Sequence, residues 1–162
     1  MRLRERTTPP ATAGGREAGS SRPVLLTTFD APIVPDAARV AVEAAVEAGR
    51  PLIVVNVIGG SFYPSSMAAP APTPVVTPDV EESLRGPAEL AASLGIQTER
   101  LRVLSPRPID ALVELIDERR PGLLVLGFEP SRLRRRFRAK LDRRLEEKTS
   151  CLVWAPAADG QQ

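Results

Sequence analysis

Five short runs of apolar and β-branched residues punctuate the chain, separated by segments patterned for helix or loop. The runs are 24–29 (VLLTTF), 52–58 (LIVVNVI), 96–104, 123–126 (LLVL) and 152–155. Where apolar character is nearly continuous and lacks a helical period, it fits a strand covered on both faces. The intervening segments 36–48, 79–94, 108–120 and about 131–148 read as helices. Strands alternating with helices predict an α/β fold: an open five-stranded parallel sheet, doubly wound and Rossmann-like, with right-handed crossovers. The core must be aliphatic, because apolar residues make up 43% of the chain and aromatics only 4%.

Local chemistry sets the boundaries. Pro35 suits a first helical turn, where its missing N–H costs nothing, and Gly49 closes that helix. Asp79 with Glu82 opens the second helix as a capping box would, and Gly86-Pro87 predicts a kink or break inside it. Residues 96–104 alternate weakly and read as an edge strand. Ile109, Leu112, Val113 and Ile116 give the third helix its apolar face, and Leu133, Phe137, Leu141 and Leu145 form an i+4 ladder on the fourth. Phe137 is expected to be buried. Residues 1–22 read as a disordered N-terminal arm, 23–156 as the folded domain and 157–162 as a flexible tail. Residues 61–78, with five prolines, read as a long loop, either a lid or disordered.

Composition narrows the chemistry. The chain has no histidine and one cysteine, Cys151. Serine–histidine and cysteine–histidine catalysis are excluded, as is an internal disulfide. No metal-ligand cluster or activated nucleophile stands out, which argues against an enzyme. No apolar run approaches the roughly 20 residues of a membrane span, and no signal peptide is evident, so the expected location is cytoplasmic. Charge is uneven: residues 132–144 hold seven arginines and one lysine against one acid, a local charge of +7 in a chain of net +2. An anionic ligand or partner at that helix is one reading; a solvated face is the other.

Leu123-Leu124-Val125-Leu126 stops at Gly127 and leads through Phe128-Glu129-Pro130-Ser131 into the arginine-rich helix. A buried strand, a glycine turn and a helix N-terminus form the usual phosphate corner of such sheets. Glu129 is placed to pair with a nearby arginine.

With Asp30 ending the first run (VLLTTFD), LIVVNVI as the second strand, LLVLG as the fourth and TSCLVWAP closing, the chain resembles a universal stress protein (UspA-like) domain over about 23–155. The resemblance implies an adenine nucleotide alpha hydrolase-like fold. In nucleotide-binding members the fourth strand runs into Gly-x-x-Gly, nine residues and Gly-Ser or Gly-Thr. Gly127 matches the first glycine, but Pro130 occupies the second position; counting on, Lys140 and Leu141 hold the last two, and aligning instead from Cys151 gives Ala139 and Lys140, so neither register restores the motif. The resemblance places Asp30 near the base and ribose, and the Val57 backbone facing the base. Ser131, Arg132 and Arg134 then complete the candidate nucleotide-binding set, arginine standing in for glycine N–H groups. ATP or AMP is the cofactor class implied, with the usual motif absent.

Three functions follow. The first is a non-catalytic regulatory domain of the stress-protein type, acting through protein partners without tight ATP binding. It would form a homodimer through the final strand, near Leu152–Ala155. The second is an adenine-nucleotide-binding regulatory domain. The third is a polyanion or nucleic-acid binder working through Arg132–Arg144.

Overall fold

A computed structural model describes residues 3–7, 22–59 and 78–157. The strands are β1 (Leu3–Thr7), β2 (Val24–Thr28), β3 (Leu52–Ile58), β4 (Thr98–Leu104), β5 (Leu123–Leu126) and β6 (Leu152–Trp154). The helices are α1 (Pro35–Ala48), α2 (Pro78–Ser93), α3 (Pro108–Arg119) and α4 (Arg135–Lys148). The sheet order is β1-β4-β3-β2-β5-β6. β2 to β6 are all parallel, which gives the five-stranded α/β sheet that the alternating pattern predicts.

Burial explains the apolar runs. Every residue of β2 and β3 is buried, because the sheet is covered on both faces. One face packs Leu25, Val55 and Leu124 against α3 and α4; the other packs Leu26, Val54 and Val125 against α1 and α2. α1 presents Ala37, Ala41, Val42 and Ala45 to the sheet. Its end is set by Gly49 at φ 63°, whose N–H returns to the Ala45 and Val46 carbonyls, a left-handed conformation that glycine adopts without cost.

Four expectations change. Leu3–Thr7, inside the arm expected to be disordered, adds a sixth strand antiparallel to β4; the rest of the arm through residue 21 lies outside the described residues. β4 is therefore flanked on both sides rather than being an edge. Of the kink or break expected at Gly86-Pro87, the break does not occur: α2 is helical throughout, and Pro87 is buried, which holds the helix where propensity alone would break it. The arginine-rich helix begins later than 131. Pro130–Arg132 forms a 3₁₀ turn, Leu133 and Arg134 are extended, and α4 starts at Arg135. The proposed loop at 61–78 lies outside the described residues except for Pro78, the first residue of α2.

Candidate functional site

Strand order reverses between β2 and β5: from β2 the chain goes to β3 on one side, while β5 lies on the other. In open parallel sheets the crevice at the carboxyl ends of such strands is where ligands bind. Here those ends carry Asp30 and Gly127, so the fold brings together the two residues that anchored the sequence reading.

Asp30 turns the chain out of β2 with φ 49°, a left-handed conformation that aspartate tolerates better than most residues. Its N–H donates to Asn56 Oδ1 at 2.8 Å, tying β2 to β3. Burial pushes the Asp30 carboxyl above its usual range, while the Arg102 charge and the Asn56 side chain pull it back. Asn56 is itself 2% exposed and interrupts an otherwise apolar strand. Asn56 and Arg102 pair in register on β3 and β4. Neither was singled out from the sequence. The signal was present for Asn56, a lone amide inside LIVVNVI.

Gly127 is packed in place. Its N–H donates to the Thr27 carbonyl at 2.7 Å, and its carbonyl accepts from the Val34 N–H at 2.9 Å. A Cβ there would lie 2.9 Å from the Thr27 oxygen and 3.0 Å from Ile33, so the glycine serves the contact between β5 and the β2–α1 loop. Beyond it, Pro130 has no N–H. The Arg132 N–H donates to the Glu129 carbonyl and the Leu133 N–H to the Pro130 carbonyl, closing the 3₁₀ turn. The two positions that should complete a glycine cradle, Lys140 and Leu141, fall inside α4, and Leu141 is 1% exposed.

A crevice of about 510 Å³ opens at the switch point, lined by Asp30, Ile33, Phe128, Glu129 and Arg132 among others. Arg132 is paired with Glu129 at 3.4 Å, so the crevice presents two carboxylates and one guanidinium already engaged. Ser131 lies elsewhere, in a cavity of about 790 Å³ between α4 and β6 that also touches Pro130, Arg138 and Cys151. Arg134 is exposed ahead of α4, and Val57 is buried with no exposed surface; neither lines these two cavities. The structure thus gathers Asp30 and Arg132 in one crevice, packs Gly127 against Thr27 and Ile33, and separates Ser131, Arg134 and Val57. Cys151 is half-buried, and burial raises its thiol pKa, which disfavours the nucleophilic thiolate. Among the described residues no group of three or more acids, cysteines or histidines could hold a metal, and no helix is long and apolar enough to cross a membrane.

An open parallel α/β sheet with a crevice at the β2–β5 reversal is the doubly wound architecture, whose general binding place is the switch point. The model of the Universal stress protein family matches residues 22–155, and the chain belongs to that family. A universal stress protein from Archaeoglobus fulgidus is 19% identical, with a TM-score of 0.55 over 82% of this chain and 96% of that one. A universal stress protein structure from Archaeoglobus fulgidus in complex with dAMP is 20% identical, with a TM-score of 0.51 over 82% and 95%. A universal stress protein in complex with cAMP is 21% identical, with a TM-score of 0.52 over 85% and 99%. No curated protein matches the chain.

Proposed function

We propose that this chain is a regulatory, non-catalytic member of its family that works as a homodimer and through protein partners, without tight ATP binding. The observation that carries the reading is the way the phosphate corner uses its own donors. The Gly127, Arg132 and Leu133 N–H groups are bonded internally, Pro130 has none, and Lys140 and Leu141 lie within a helix. A polyphosphate would have to displace these bonds in a crevice that already holds Asp30 and Glu129. The dimer reading rests on β6, a terminal strand whose Leu152 and Val153 are 74% and 44% exposed. An exposed apolar edge strand is a ready template for pairing with a second copy.

One observation favours a second reading, an adenine-nucleotide regulatory domain. Asp30 lines an open crevice at the switch point, and universal stress proteins similar to this chain occur in complex with dAMP and with cAMP. A thermal-shift titration with ATP, AMP and inorganic phosphate separates the two. The first reading predicts no saturable shift. A shift specific to adenine nucleotides and lost in Asp30→Ala would replace it with the second; binding at 100-fold above Kd adds about 2.7 kcal/mol of stability.

A further inference from the structure

Phe137, Leu141 and Leu145 turn one side of α4 toward the core. Opposite them Arg136, Lys140 and Arg143 recur at i, i+4 and i+7, all exposed. With a rise of about 1.5 Å per residue, Lys140 and Arg143 stand about 6 Å and about 10 Å along the axis from Arg136. Arg134, Arg135 and Arg138 flank this row and are also exposed. Among the described residues none of these six makes an ion pair, whereas Arg132 is held by Glu129 and Arg144 by Asp110. Like charges at i and i+4 oppose helix formation, so the row carries a cost that a bound polyanion would remove.

The chemistry of the face selects the partner. Its only exposed apolar side chain in α4 is Ala139, so it offers nothing for a protein interface to bury at its centre. A polyanion requires only spaced cations, and the six here outnumber the exposed acids of α4, Asp142, Glu146 and Glu147. The face has no exposed aromatic, asparagine or glutamine to stack on bases or read their edges. We infer that the outer face of α4 binds the phosphodiester backbone of nucleic acid, independently of base sequence. This surface is separate from the switch-point crevice, and the inference stands whether or not a nucleotide binds there.

The test is fluorescence anisotropy of the full chain with a labelled duplex DNA of mixed sequence, a labelled single-stranded RNA, and labelled poly-glutamate, from 50 to 200 mM salt. Three to five phosphate contacts predict a log–log salt slope of about −3 to −4.5, or roughly a hundredfold loss of affinity across that range. Arg136→Gln/Lys140→Gln/Arg143→Gln should lower affinity at least tenfold while melting no lower than wild type, since it also removes the like-charge repulsion. Arg107→Gln/Arg120→Gln, which removes charge elsewhere, should leave affinity unchanged. Absence of binding at 50 mM salt would overturn the inference, as would a triple variant that binds like wild type. Equal or tighter binding to poly-glutamate would overturn it in favour of an acidic protein surface.

Discussion

Asp30 combines two constraints that usually conflict: a left-handed backbone at φ 49° and a carboxyl pushed upward by burial. Because its folded pKa lies above the ordinary 3.8, ionising it opposes folding. Its contribution is therefore most favourable below the unfolded value and declines as pH rises through the folded one. Asp30→Asn, which tolerates the same backbone, should flatten the pH dependence just above 3.8 and raise stability at pH 7 in urea titrations. A variant less stable than wild type at pH 7 would contradict this sign. Phe137 packs edge-on to Phe29 with ring centroids 5.2 Å apart, but it is only partly buried, not fully as the i+4 ladder implied. Phe137→Ala should cost about 2–3 kcal/mol in the same titration, below the full core penalty. Gly59 has φ 143°, and a Cβ there would meet the Ser105 carbonyl oxygen at 1.8 Å. Gly59→Ala should cost about 3 kcal/mol or more, from strain and overpacking together. The sequence marked Asp30 and Gly127 through the strand ends they occupy. It could not mark Arg102, whose place beside Asp30 depends on β4 lying two strands away.

At the scale of elements, hydrophobic spacing located faces better than ends. Leu133 is buried although it precedes α4, so the i+4 ladder predicted the packed side correctly while misplacing the helix start. The start follows the 3₁₀ turn of Pro130–Arg132, and no side chain caps it at Arg134. α2 shows the converse, since buried Pro87 sits inside a helix that local propensity argues against. β6 yields the prediction that belongs here. Its Leu152 and Val153 are exposed on the edge strand, so light scattering should report twice the chain mass for wild type. Val153→Lys should shift the mass toward one chain, because a charge on an edge strand opposes pairing. A wild-type monomer, or a dimer indifferent to this change, would place the contact elsewhere.

For the molecule as a whole, five parallel strands and their succession along the chain were legible because each buried strand leaves a compact apolar run and each crossover leaves a helix. β1 was not legible. Its sequence LRERT has no apolar alternation, and its place comes from a backbone ladder that sets Glu5 opposite Arg102. The family resemblance pointed to a candidate site at Asp30 and Gly127, while the internal hydrogen bonds of that corner, invisible in sequence, carry the proposal that it does not hold ATP tightly. Those bonds also define the most direct measurement: amide chemical shifts of uniformly ¹⁵N-labelled protein as ATP is added to millimolar excess. The Gly127, Arg132 and Leu133 amides should stay where they are, because they already donate to Thr27, Glu129 and Pro130. Saturable shifts of these amides together with Asp30 would show that the corner opens to bind phosphate, and would contradict the proposed function.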